Sequence, residues 1–157
     1  MERRDILKGV VCCLIIVALV YGCSGKEGPS SPKQAVISMF GAMEKDDKAA
    51  LAHLLDLPEL MKTINEDYAL QLDSPRVFTS PIQLLEDLTG NGLTKTRWFA
   101  MQRIIGNTVV TGETATVEVT FIDKDKSIGY LTKFGVHMAN EKWKIYSFKT
   151  LQEPPGD

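Results

Sequence analysis

The chain has 157 residues, 18 of them basic and 20 acidic, a formal net charge of −2 and a 44% hydrophobic content. That supports one core of ordinary domain size, and it leaves no net basic field to draw nucleic acid. Two distant histidines with no H-x-H or H-E-x-x-H spacing and no cysteine cluster form no convincing zinc site.

The N-terminus has three parts. Arg3, Arg4 and Lys8 form a positive start, and Val10 to Val20 is an unbroken apolar run. Spanning a bilayer takes ~20 apolar residues, and this run is shorter, in the range of a secretory signal. It closes on Val20-Tyr21-Gly22-Cys23. The segment resembles a bacterial lipoprotein signal, in which the cysteine is acylated (palmitate is the usual chain) and becomes the first residue of the mature protein. An uncleaved anchor and ordinary cleavage are the alternatives, and no A-x-A-like site supports the second. The resemblance implies lipidation of Cys23 and an address in the cell envelope, outside the cytoplasm. Cys12 and Cys13 then leave with the signal, so the exported domain holds no free thiol.

Residues 1–22 therefore read as signal, 23–31 as a flexible tether, 32–150 as one domain and 151–157 as a loose tail. The tether, SGKEGPSS after the cysteine, has no large apolar side chain. Ser31-Pro32-Lys33-Gln34 carries an N-cap, a proline at the first helical position and a glutamine placed to complete a capping box. Val36, Met39, Phe40 and Met43 follow at helical spacing. Asp46 and Asp47 end that helix and can cap a second with Leu51, Leu54 and Leu55. Pro58 opens a third, whose face is Leu60, Met61, Ile64 and Tyr68, and Asp73-Ser74-Pro75 ends it. Ser80-Pro81-Ile82-Gln83 repeats the first cap before a short helix with Leu84, Leu85 and Leu88, closed by Gly90-Asn91-Gly92.

From Thr94 the composition favours strands. Thr94 to Ile105 is rich in β-formers, and Lys95, Arg97 and Arg103 share one strand parity there, which reads as a salt-laced exposed strand or, alternatively, as a set able to meet an anionic group or an acidic partner surface. Ala115, Val117, Val119 and Phe121 alternate with Thr116, Glu118, Thr120 and Ile122, after a turn at Thr111-Gly112-Glu113. Tyr130, Thr132, Phe134, Val136 and Met138 form another strand face, opposite Leu131, Lys133, Gly135 and His137. Asn140-Glu141-Lys142 turns the chain into Trp143 to Lys149. Residues 32–92 carry five basic and ten acidic side chains, and residues 93–150 carry nine and five. Helices followed by antiparallel strands with short connections predict an α+β class.

Pro32 through Met43 with Asp46-Asp47, and Gly112 to Val119 with Glu141-Lys142-Trp143-Lys144-Ile145-Tyr146, resemble the opening helix and closing strands of the nuclear transport factor 2-like, cystatin-like cone. The resemblance covers about residues 32–150 and implies N-terminal helices packed on a curved antiparallel sheet, with a pocket between the helices and the sheet. It also implies three roles. The first is a binding or accessory module for a small apolar ligand or an envelope protein, with no cofactor. The second is an isomerase- or dehydratase-like enzyme, and the third a structural module that forms a homodimer through its sheet. Tyr68, Trp98 and Tyr130 combine apolar area with a polar tip and are the candidate lining. For catalysis, His53 lies on a helix with nothing beside it to fix its tautomer, and His137 pairs in principle with Glu118 across the sheet. The Glu44, Asp46 and Asp47 group, interleaved with lysines, reads as a helix corner and not a calcium loop.

Overall fold

A computed structural model describes residues 28–67 and 77–152. Cys23, the signal, the start of the tether, Tyr68, the Asp73-Ser74-Pro75 stop and residues 153–157 lie outside the described residues. Among the described residues, five helices pack on one face of a curved, open four-stranded antiparallel sheet. The expected α+β class and its order, helices before strands, hold.

The helices begin where the caps lie. Helix α1 (Pro32–Glu44) starts with the Ser31 hydroxyl accepting from Gln34 N at 3.2 Å, and it buries Ala35, Val36, Met39, Phe40 and Met43. Gln34 does not reach back to close a box. Its amide donates forward to Ser38 Oγ at 3.3 Å. Asp46 takes a positive φ of 56° to turn the chain, and Asp47 Oδ1 accepts from Ala50 N at 2.8 Å to cap α2 (Lys48–Leu54). Helix α3 (Leu57–Asp67) follows, with Leu60 and Ile64 buried. Helix α4 (Pro81–Asp87) repeats the serine cap at Ser80, but Gln83 Oε1 here accepts from Thr79 N at 3.0 Å and Thr79 Oγ1 at 2.9 Å.

The stretch from Thr94 departs from the strand expectation. Leu93–Ala100 is helix α5. Its first turn is held from upstream. The buried Asp87 carboxylate accepts from Leu93 N, an N–H that a helix start leaves unmet, at 3.1 Å, and from the Thr94 hydroxyl beside it. With the turn fixed, Trp98 points into the core, and this tertiary gain overrides a modest β preference. Lys95 and Arg97 are therefore helical and do not share a strand with Arg103.

The strands β1 (Gln102–Thr111), β2 (Thr114–Asp123), β3 (Ile128–Ala139) and β4 (Lys142–Gln152) form a meander in the order β1-β2-β3-β4. Two-residue turns join β1 to β2 at Gly112-Glu113 and β3 to β4 at Asn140-Glu141, where Asn140 and Glu141 have φ of 51° and 62°. That double left-handed pair matches the right-handed twist of a hairpin. Between β2 and β3, Asp123 Oδ1 accepts from Asp125 N and Lys126 N at 3.1 and 3.2 Å. The alternation read in β2 is observed, with Ala115, Val117, Val119 and Phe121 buried under the helices. Thr132, Phe134 and Val136 of β3 and Trp143, Ile145 and Phe148 of β4 complete the inner face.

Two bulges set what faces where. In β1 the register shifts between Ile105 and Thr108, and in β4 Tyr146 is the extra residue between the pairs Val136–Ile145 and Gly135–Ser147.

Candidate functional site

Toward the β2–β3 turn the inner face carries a row of paired residues, which Gln152 of β4 continues past Tyr130. Arg103 of β1 pairs with Phe121 of β2, which pairs with Tyr130 of β3. Helix α5 lays the Trp98 ring on Phe121, with centroids 5.1 Å apart and planes at 29°. Trp98 also meets Phe40, Phe134 and Phe148 edge-on at 5.9, 5.7 and 5.4 Å. Deeper in the cone these rings fill the space between helices and sheet, and Trp98 is only 3% exposed. Tyr130 packs against the same cluster but is only partly buried. Of the three residues read as lining, Trp98 and Tyr130 thus flank one residue of the inner face, and Tyr68 is outside the described residues.

Arg103 occupies the β1 end of that row. Its guanidinium lies 4.0 Å from the Phe99 ring centroid and 5.5 Å from that of Phe40, and Nη1 donates to the Trp98 carbonyl at 2.8 Å. Burial lowers its pKa, and the charge of Glu44 opposes the shift. Arginine stays protonated under such a perturbation. Among the described residues no carboxylate closes an ion pair with it. One N–H of five is used by the carbonyl, so the planar fork keeps donors for a carboxylate or phosphate beside two aromatic faces. Strand parity alone names this residue, with Lys95 and Arg97, as able to meet an anionic group, but it does not place it on the inner face. The bulge before Thr108 turns Arg103 inward, and Gly106-Asn107 was the one signal for it.

The two histidines are placed far from this row. His53 is exposed on α2. His137 stands on the outer face of β3, where the alternative pairing with Glu118 does not form. Glu118 pairs with Lys133 at 3.8 Å, while His137 Nε2 is 3.0 Å from Asp56 Oδ2. Glu118 is one strand away on β2, whereas Asp56 is brought over the other edge because Asp56 N donates to Ile145 O at 2.8 Å. Nε2 is buried and makes no well-aligned hydrogen bond, so the contact is an ion-pair distance and not a directed proton relay. The Tyr146 ring lies 5.0 Å from the His137 ring. Asp56 is also committed to α3, where Oδ1 accepts from Glu59 N at 3.4 Å. The arrangement fastens the α2–α3 corner to the sheet edge. Among the described residues no group of three His, Cys, Asp or Glu side chains is placed to hold a metal ion.

No family model and no curated protein matches the chain. Solved structures do. A chain whose name carries the label NTF2 and five substitutions aligns over 76% of this chain and 95% of its own, with 11% identity and a TM-score of 0.51. An NTF-2 like protein of unknown function from Silicibacter pomeroyi covers 76% and 90%, with 14% identity and a TM-score of 0.46. An NTF2-like protein of unknown function from Cytophaga hutchinsonii covers 83% and 95%, with 10% identity and a TM-score of 0.46. Identities this low speak to the fold alone.

Proposed function

The domain is a nuclear transport factor 2-like cone, and from that premise we propose that the protein is a lipid-anchored, extracytoplasmic binding module that takes its ligand at the rim of the cone. The single observation that carries the reading is the Arg103–Phe121–Tyr130 row with Trp98 stacked on it. A cone filled by five aromatic rings leaves a ligand the rim and not the depth. The rim offers aromatic area, a phenol and an arginine with spare donors. An amphipathic molecule with an anionic head matches that chemistry, its apolar part on Tyr130 and its head on Arg103. The anchor is supported by the charged start, the short apolar run and Gly22-Cys23.

Two measurements test the reading. The mass of the protein recovered from membranes should show loss of residues 1–22 and an acylated Cys23. Titration with tetradecanoate should saturate, tetradecanol should bind more weakly, and Arg103→Gln should weaken the acid about tenfold, the value of a hydrogen bond to a charged group. Equal binding of acid and alcohol by the native protein would remove Arg103 from the site, and turnover of a bound compound would replace binding with catalysis.

A further inference from the structure

The chain enters the domain at one end of the sheet, and that end carries exposed valines. Gly28 packs against the Lys142 side chain, where an added Cβ would lie 2.6 Å from Cδ. Lys142 opens β4 immediately after the Asn140-Glu141 turn, and Met138 N donates to Glu113 O at 2.8 Å, so both hairpin turns sit together. The last residues of β1 before its turn include Val109 and Val110, 62% and 54% exposed. They pair with Thr116 and Ala115 and so point to opposite faces of the sheet. Next to the turn the hairpin therefore shows apolar surface on both faces that the core leaves half or more exposed.

Chain length turns this into an orientation. Five residue steps separate Cys23 from Gly28, a reach of at most about 18 Å. Strand β2, which runs from the hairpin end to the Arg103–Tyr130 row and beyond, is about 30 Å long at ordinary strand rise. We infer that the domain stands on the bilayer with its two hairpin turns, Gly112-Glu113 and Asn140-Glu141, toward the lipid and Val109 and Val110 at the interface. The rim row then faces away from the membrane, toward soluble partners. The inference rests on the anchoring proposed above, and it commits the hairpin end to a lipid surface.

The test uses the full lipoprotein in phosphatidylcholine vesicles whose headgroups carry an energy acceptor. With Cys23 acylated and the signal removed, Glu113→Cys and Lys124→Cys each supply the sole thiol for a donor dye, at opposite ends of β2. The dye at 113 should transfer at least about twice as efficiently as the dye at 124, given the strand length between them. Val109→Asp with Val110→Asp should bring the 113 value toward the 124 value while the protein remains on the vesicles. Equal transfer from both sites, or greater transfer from 124, in vesicle-bound protein would overturn the orientation and leave the anchor standing. Protein that carries no lipid on Cys23 and does not stay with vesicles would overturn the anchoring itself. Transfer unchanged by the aspartates would remove the valines from the interface.

Discussion

Gly135 lies beneath the Tyr146 ring. A Cβ at position 135 would stand 2.8 Å from Tyr146 Cζ and 2.3 Å from Ser147 Oγ. The bulge causes this, because Tyr146 and Ser147 both oppose one glycine. Gly135→Ala should destabilise the domain by about 1–3 kcal/mol through crowding. Ser147→Ala in the same background should recover part of the loss, since it removes the nearer atom. Urea unfolding of the two variants measures both, and an unchanged midpoint for Gly135→Ala would show that the ring moves freely.

His137 and Asp56 should couple weakly. Their side chains remain 28% and 27% exposed, so solvent screens the pair. A double-mutant cycle with His137→Ala and Asp56→Asn should return less than about 1 kcal/mol of interaction, although Asp56→Asn alone also weakens the start of α3. A coupling of several kcal/mol would mark a desolvated pair with a role beyond fastening the corner.

Trp98→Ala should cost about 3–5 kcal/mol, because it removes the ring that Phe40, Phe121, Phe134 and Phe148 all contact. Loss of ligand binding in that variant would report a damaged core as readily as a missing contact. Tyr130→Phe and Arg103→Gln are the informative substitutions at the rim, and circular dichroism should show both folded at the native midpoint within a few degrees.

Asp46 gives an acid-limb prediction. Its pKa is held below the ordinary carboxylate value, chiefly by the hydrogen bond from the Lys95 ammonium and then by that from Gly90 N. A depressed carboxylate stabilises the fold above its unfolded pKa of about 3.9, and the contribution is lost as pH falls through the lower folded value. Asp46→Asn should therefore flatten the loss of stability at the acid end of a pH series while leaving the shape near neutrality unchanged. An acid limb as steep as the native one would show that the Lys95 contact does not persist in solution.

The domain from Ser31 should unfold at the same temperature with and without chelator and reductant. Its sequence has no cysteine, and its described residues hold no metal cluster. A lowered midpoint in chelator would reveal a structural metal.

Much of this fold is legible in local chemistry. Ser31, Asp47 and Ser80 cap the helices that their neighbours predict, and the alternation from Ala115 to Phe121 names the inner face of β2, because a side chain's own backbone sets these outcomes. The α+β class follows from such signals, and the cone is implied by the family resemblance of residues 32–150. The rim follows from neither. With unbroken pairing from the Gly112-Glu113 turn, Ile104 would face inward opposite Phe121 and Arg103 outward; one unpaired residue in the bulge exchanges them. Helix α5 is likewise non-local, since Asp87 accepts from its first turn and the aromatic cluster receives Trp98. Asp56 reaches His137 only because the Leu55–Ile145 bridge lays the α2–α3 corner along β4. The sequence alone determined which segments are helix or strand wherever a residue's preference could be met by its neighbours. The tertiary structure decided register, and register decides whether an arginine meets water or an aromatic face, because a one-residue slip in a period of two reverses every side chain beyond it.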